Sequence, residues 1–178
     1  MMVGTNCEGA NTECRMIIAL DNNQVPLPPG AKIHSASIKL NTESAQTGNL
    51  TLNVHRLLTN SWTQSGSTWN NSAGGTPWST AGMTAGVDYE SSPIYSKNIN
   101  SAVSEVWLEL GHSGMSIDGD HAWIVIGTST VGAPGWIEFF SSESSLDYRP
   151  TILINYTDVH SASVSPTGTT TDADTSVQ

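Results

Sequence analysis

Basic residues are scarce in this chain of 178 residues. It contains 6 Lys and Arg against 16 Asp and Glu, and its formal net charge is −10 at pH 7. Binding to a nucleic-acid backbone requires Lys and Arg that displace counterions, and attraction to an anionic membrane surface depends on the same residues. We therefore expect no nucleic-acid partner and no attraction to an anionic membrane surface.

Long apolar runs are absent as well. No apolar stretch approaches 18 residues, so the sequence predicts no membrane insertion. The opening residues, MMVGTNCEGAN, contain neither the basic region nor the apolar core of a signal peptide. Small hydroxyls are abundant instead, at 20 Thr and 24 Ser. This acidic, hydroxyl-rich composition favours an extracellular or cell-surface protein, and a secreted chain without its own signal is expected to be a piece of something longer.

The sequence has only two cysteines, Cys7 and Cys14, with six residues between them. Such a spacing can close a small loop as a disulfide, which is typical of proteins outside the reducing cytosol. The alternative is two unrelated thiols. A metal site is less favoured, because no histidine lies nearby and the spacing is not Cys-x-x-Cys.

Most of the chain alternates apolar and polar residues in short segments that end at Gly, Pro or Asn. Ala36, Ile38 and Leu40 alternate with Ser35, Ser37 and Lys39, and residues 50–54 repeat the scheme. Further strand candidates are the apolar segments 15–21, 121–128, 135–143 and 149–157. Many short strands in about 150 residues predict an all-β fold, an antiparallel β-sandwich of jelly-roll-like type.

One segment has helical spacing. Val103, Val106, Trp107 and Leu110 recur at the spacing of one helix face, Asn100 or Ser101 can cap its start, and a glycine follows its end. The sequence therefore predicts one short helix over residues 100–110.

The last residues lose both large apolar side chains and periodicity. The segment SASVSPTGTTTDADTSVQ is rich in Ser, Thr, Gly, Pro and Asp, which is typical of a linker or of the start of a further module. We therefore place one domain at residues 1–158 and a Ser/Thr-rich linker at residues 159–178.

Four segments together resemble a known family. They are the Arg-x-Ile-Ile-x-x-Asp strand at 15–21, LPPGAKIHSASIKL, NSWTQSGSTWNNS and SSESSLDYRPTILINY. In these segments the chain resembles the DNRLRE-type domain over about residues 15–157. That family comprises extracellular β-sandwich modules of surface and polysaccharide-active proteins, some of them classed as carbohydrate-binding modules. Its members usually begin with a further strand before VGT, so the resemblance implies a truncated N-terminus here. The Ala-Leu-Asp ending at 19–21 departs from the usual Arg-Phe-Asp.

Exposed aromatic rings are the candidate ligand-binding residues, because the apolar face of a neutral sugar stacks on such rings. Trp78 lies in a Gly/Ser/Thr-rich loop without core periodicity and is the first candidate. Trp136, at a strand entrance, is the second, and Tyr89 and Tyr95 follow. For each of them core packing is the alternative. We assign the remaining tryptophans, 62, 69, 107 and 123, to packing.

The sequence carries no recognisable catalytic motif. Glycoside hydrolysis needs two carboxyls at a fixed separation, and the acidic residues outside the tail fall in no such pattern. Asp118 and Asp120, on either side of Gly119, form a hard-oxygen arrangement that could hold Ca²⁺. The alternative is a plain Asp-Gly turn. We therefore expect no enzyme and no cofactor other than this possible structural calcium.

These observations lead to two hypotheses about function. The first is a non-catalytic extracellular module, part of a larger secreted or surface protein, that binds a glycan. The high negative charge favours a neutral glycan over polyuronates or sulfated chains. The second is a structural or assembly domain of a surface layer, sheath or filament, whose partners are neighbouring protein subunits.

Overall fold

The structure is a computed structural model. It describes residues 1–7, 12–20, 27–28, 31–46, 49–59, 61–100, 103–111, 121–129 and 135–157.

Strands form all the regular structure in the described residues. In chain order they are β1 (Met2–Thr5), β2 (Glu13–Leu20), β3 (Lys32–Gln46), β4 (Leu50–Arg56), β5 (Asn71–Ala73), β6 (Thr76–Pro77), β7 (Tyr95–Ile99), β8 (Glu105–Glu109), β9 (His121–Ser129), β10 (Gly135–Phe139) and β11 (Thr151–Thr157).

Nine of these strands form one antiparallel sheet. Its order is β11-β3-β10-β1-β2-β9-β4-β7, and β8 pairs with β3 off this path. Strand β3 is long enough to pair with β10 near its end and with β11 and β8 along its first part. Strands β5 and β6 form a separate small hairpin. The predicted all-β antiparallel class is confirmed.

The main core lies inside this sheet, which curls so that its two halves face each other. Ala36, Ile38 and Leu40 of β3 belong to the same buried cluster as Leu52 and Val54 of β4, although the two strands are far apart in the sheet order. The alternating residues of β3 and β4 therefore point inward as the sequence predicts, and the curled sheet makes a β-sandwich-like fold.

Strand β9 is buried on both faces. Trp123 and Val125 belong to the main core, whereas Ala122, Ile124 and Ile126 belong to a second apolar cluster on the outer face of the sheet. The continuous apolar run of β9 follows from this double burial. The second cluster is closed by residues of the long segment 57–90, and this segment builds the candidate site.

The predicted helix over residues 100–110 is wrong. Glu105–Glu109 form strand β8, which pairs with Ser37–Asn41 of β3. Val106, Leu108 and Leu110 are all buried in the main core. These three residues have period two, and pairing with β3 selects that period over the helical spacing that the same segment also contains. Residues 101–102 lie outside the described part.

Within the described residues, no helix is long and apolar enough to cross a membrane. The proposed linker, residues 159–178, lies outside the described part of the chain.

Candidate functional site

A cleft opens on the outer face of the sheet, between strands β2 and β9 and the long segment that covers them. Its volume is about 250 Å³, just below the range for pockets that hold drug-sized ligands. The walls combine apolar side chains with a few polar groups, namely Arg15, Ile17, Ser67, Thr68, Trp69, Trp78, Gly82, Met83 and Ile124.

Backbone hydrogen bonds hold the covering segment in shape. The N–H of Thr63 donates to the carbonyl of Ser72, at 3.0 Å, and the N–H of Trp78 donates to that of Asn70, at 3.2 Å. The first bond ties Thr63 to strand β5, and the second closes the open end of the β5–β6 hairpin. They place Trp69 and Trp78, nine positions apart in the sequence, on the same cleft.

Trp78 is buried, which agrees with the core-packing alternative and not with an exposed ligand-binding ring. Only 5% of its surface is accessible, and its Nε1 donates to the carbonyl of Thr68 at 2.9 Å. The ring packs in the second apolar cluster with Ile124 of β9. A glycine-rich loop with no periodicity does not reveal which of its side chains the neighbouring sheet will bury. Trp78 therefore lines the cleft as a fixed wall rather than as an open platform.

Trp69 is the exposed aromatic residue of the cleft, and its assignment to packing is wrong. Its side chain is 43% exposed. The guanidinium carbon of Arg15 lies over the ring, 5.2 Å from its centroid, within cation–π range. The loop position that favours Trp78 as a platform in the sequence applies equally to Trp69, which follows Ser67-Thr68 in the same aperiodic segment.

Gly82 packs against the Trp69 ring. The N–H of Gly82 donates to the carbonyl of Trp69 at 2.7 Å. A Cβ atom at position 82 would overlap the indole ring, and the backbone there has a φ of +79°, which disfavours residues other than glycine. The ring therefore rests directly on the backbone of its own loop.

Arg15 connects strand β2 to that loop. Its Nη1 donates to the carbonyls of Gly82 and Met83, and its Nε forms an ion pair with Glu13 at 2.9 Å. The alternation of β2 places Arg15 and Ile17 on the cleft side, opposite Met16 and Ile18 of the main core. Because Glu13 balances the guanidinium charge, Arg15 offers the cleft hydrogen-bond donors with little net positive charge.

A buried carboxylate stabilises the other side of the loop. Asp88 is buried and accepts hydrogen bonds from the Ser79 hydroxyl, from the Ser79 N–H at 3.3 Å and from the Thr84 N–H at 2.7 Å. These bonds span residues 79–88, the part of the loop that contains Gly82 and Met83. The carboxylate therefore shapes the backbone that supports Trp69.

The other predicted ligand-binding residues lie elsewhere. Tyr89 is buried in the second apolar cluster, with its ring edge-on to His55 at 5.1 Å. Tyr95, on β7, is half-buried against the main core. Trp136 is half-buried on β10, paired with Gly4 on one side and Gln46 on the other. Of the four, Trp78 lines the cleft, and the structure does not bring the four together.

The predicted calcium ligands, Asp118 and Asp120, lie outside the described residues, and the prediction stays open. Within the described part of the chain, no group of three or more His, Cys, Asp or Glu side chains is placed to hold a metal ion.

Cys7 and Cys14 are two thiols in the structure, without the disulfide bond that the sequence predicts. Cys7 follows β1, Cys14 lies in β2, and the two thiols are hydrogen-bonded to each other. Nearby, the N–H of Asn6 donates to the carbonyl of Thr12 at 2.6 Å. Burial, a hydrogen bond with Cys14 and the charge interaction with Cys14 raise the pKa of Cys7 from 9.0 to about 12. The hydrogen bond brings the two thiols together in the reduced chain, and the disulfide stays a prediction.

Comparison with known proteins adds no family assignment. No family model matches the chain. Among curated proteins, no significant match is found.

Proposed function

We propose that this domain is a non-catalytic carbohydrate-binding module whose cleft holds one residue of a neutral glycan against Trp69. The observation that carries the proposal is the exposed indole of Trp69 beside the hydroxyl-bearing residues Ser67 and Thr68 and the donors of Arg15. An apolar surface with a few polar groups that set orientation is the usual form of a small-ligand site.

A pyranose ring matches these two features. Its axial C–H groups form an apolar face that is attracted to an indole ring, and burying that face removes apolar surface from water. Its hydroxyls need donors and acceptors at the rim. The Ser67 hydroxyl donates to backbone carbonyls and can accept from a sugar, whereas the Thr68 hydroxyl accepts from backbone N–H groups and can donate to one. The guanidinium of Arg15 lines the same cleft. The volume of about 250 Å³ suits a single sugar ring, with the remaining chain of a polysaccharide lying outside the cleft.

Charge favours a neutral sugar. The whole chain has a net charge of −10, so it repels polyuronates and sulfated glycans. Arg15 does not reverse this locally, because Glu13 lies 2.9 Å from its Nε. A neutral ligand avoids both the long-range repulsion and the desolvation of an unpaired anion.

The support for the Trp69 ring suits a binding role. Gly82 lies against the ring, Arg15 lies over it, and Asp88 holds the intervening backbone. A ring held in place before the ligand arrives loses little conformational entropy on binding. Shallow sites that bind sugars weakly depend on such preorganisation, because the gross interaction energy is small.

The resemblance to the DNRLRE-type domain supports the same proposal. That family includes carbohydrate-binding modules of secreted and surface proteins. The segment NSWTQSGSTWNNS, one of those that carry the resemblance, contains Ser67, Thr68 and Trp69. From the same resemblance we propose an extracellular or cell-surface location. A Cys7–Cys14 disulfide would agree with that location, because disulfides persist outside the reducing cytosol.

Affinity electrophoresis and calorimetry with a panel of neutral polysaccharides test the proposal. We expect retardation by at least one of them, and Trp69→Ala should weaken that binding at least tenfold, which is about 1.4 kcal/mol. Tyr148→Ala is the matched control, because Tyr148 is also an exposed aromatic residue but lies away from the cleft. Trp136→Ala tests the alternative platform on β10.

Three outcomes decide between the possibilities. Loss of binding in Trp69→Ala alone supports the cleft. Loss in Trp136→Ala with retention in Trp69→Ala would move the site to β10 and refute the cleft. Retardation by none of the neutral polysaccharides would contradict sugar binding and favour the structural hypothesis.

A further inference from the structure

We propose that strand β11 is a self-association edge, through which two copies of this chain pair β11 against β11 in antiparallel fashion and continue the sheet from one copy into the other. This inference concerns the edge of the sheet opposite β7 and does not depend on sugar binding.

The outer edge of β11 has no strand partner among the described residues. Thr151–Thr157 pair with Lys32–Lys39 of β3, and β11 stands at the end of the sheet order. A strand paired on one side presents a row of backbone N–H and C=O groups on its other side, spaced to accept a further strand.

The sequence of β11 lacks the features that keep exposed edges from pairing. Its seven residues, TILINYT, include no charged residue, no proline and no glycine. The strand at the other end of the sheet, β7, contains Lys97, and β8 contains Glu105 and Glu109. Charged side chains on edge strands are the usual protection against edge-to-edge pairing. Strand β11 is the unprotected edge among these three.

Side chains on both faces of β11 are only partly covered. Leu153 is 60% exposed on the outer face, and Tyr156 is also exposed. Ile152 and Ile154 are half-buried against the main core. An added strand would place its own residues beside these two rows, since cross-strand neighbours on one face lie about 5 Å apart. A second β11 supplies apolar residues for both rows.

Symmetry favours a second copy as the partner. A strand placed antiparallel to itself about a two-fold axis offers each copy the same row of donors and acceptors, and such an isologous contact closes as a dimer. Ile152 and Ile154 lie on the core face of β11 and Leu153 and Asn155 on its exposed face, so a two-fold pairing can place like residues on like faces.

Local charge favours contact at β11 between two acidic copies. Two of the chain's three lysines, Lys32 and Lys39, lie on β3 opposite Thr157 and Thr151. Neither β11 nor the facing residues 32–39 contain a carboxylate. The acidic residues of β8 lie beyond β3, about 4.8 Å farther from the edge. Elsewhere the net charge of −10 opposes contact between copies.

Sedimentation velocity of the full chain, from micromolar to millimolar concentration, tests the inference. We expect a concentration-dependent dimer. Leu153→Lys places a charge in the contact and should raise the dimer dissociation constant at least tenfold. Leu58→Lys is the matched control, because Leu58 is 50% exposed and lies outside β11, and it should leave the dimer unchanged. Asn155→Lys, also on the exposed face of β11, makes a second charged variant that removes no apolar side chain.

Hydrogen exchange supplies an independent readout. The amides of β11 should gain protection as the concentration rises, whereas those of β7 should not. Circular dichroism must show that each charged variant is folded, and Asn155→Lys replaces Leu153→Lys if the latter is not. A wild-type chain that stays monomeric to millimolar concentration overturns the inference. So does a dimer that the folded β11 variants and Leu58→Lys weaken equally.

Discussion

The guanidinium of Arg15 lies over the indole of Trp69 while its Nη1 donates to the carbonyls of Gly82 and Met83. A single side chain from strand β2 thus holds both the exposed ring of the cleft and the loop beneath that ring. Apart from the short β5–β6 hairpin, the long covering segment has no strand of its own, so its position over the sheet depends on such side-chain contacts. Each contact can be removed separately.

Replacing Arg15 with lysine should loosen this connection. A lysine keeps the charge but loses the planar fork that reaches two carbonyls and Glu13 together. We expect Arg15→Lys to lower the free energy of unfolding by about 1.5–3 kcal/mol in urea titrations, the range for hydrogen bonds made by charged groups. Arg149→Lys is the control, because Arg149 is exposed and its Nε donates to a single carbonyl, that of Ser144, at 2.7 Å. Equal losses in the two variants would contradict the role of Arg15.

Adding a methyl group at Gly82 should displace Trp69. Gly75 provides the matched control, because its φ is +83° against +79° for Gly82, but a Cβ there meets no atom within 4 Å. Gly75→Ala should cost about 1–2 kcal/mol, the cost of a left-handed backbone for an L-residue. Gly82→Ala should cost more, since it adds overlap with the indole ring, and only this variant should weaken sugar binding. Equal unfolding free energies would show that the ring moves aside freely.

Removing the negative charge of Asp88 should weaken the loop that supports the ring. The Asp88 carboxylate accepts hydrogen bonds from the N–H groups of Ser79 and Thr84. An asparagine keeps one accepting oxygen but replaces the other with an NH₂ group, which cannot accept them. Leaving such buried groups unpaired costs about 1–3 kcal/mol. We expect Asp88→Asn to lower the free energy of unfolding by this amount, measured with urea. Asp147→Asn, at an exposed aspartate, should change it little. A stable Asp88→Asn would show that the loop is held by other contacts.

The strands that build the scaffold could be predicted from the sequence because alternation determines which side chains a sheet buries. Leu50, Leu52 and Val54 alternate with polar residues, and all three are fully buried. The same rule fails where two periods coexist. Val106 belongs both to a helical spacing and to an alternating one, and pairing with β3 decides in favour of the strand.

The candidate site could not be predicted in the same way, because its residues follow no period. Trp69 and Trp78 lie in similar loop sequences, yet Trp78 is buried and Trp69 is exposed. The difference depends on Ile124 of β9 and on the hydrogen bond from Trp78 to the Thr68 carbonyl. Neither contact is visible before the segment folds over the sheet. Arg15 is missed for a related reason, since its partners Gly82 and Met83 are 67 and 68 positions away along the chain.

Raising the pH above about 9 should weaken the reduced fold through Cys7. Burial, a hydrogen bond with Cys14 and the Cys14 charge interaction raise the pKa of Cys7 from 9.0 to about 12. Between these two pKa values the folded chain keeps a proton that the unfolded chain releases. The contribution of Cys7 to the free energy of unfolding is therefore complete below pH 9.0 and is lost as the pH rises toward about 12. Urea unfolding under reducing conditions should show a free energy that falls across this interval.

The Cys7 effect is read as a difference between the slopes of two variants, so that contributions shared by both cancel. Cys7→Ser carries no group that ionises there, and its free energy of unfolding should fall less steeply with pH than that of the wild type. Oxidation offers a second comparison, because a Cys7–Cys14 disulfide removes the titrating thiol and should also flatten the slope. It should in addition raise the unfolding free energy by about 2.5 kcal/mol, as expected for so short a loop. Identical slopes in reduced wild type and Cys7→Ser would mean that the folded chain does not hold the Cys7 proton.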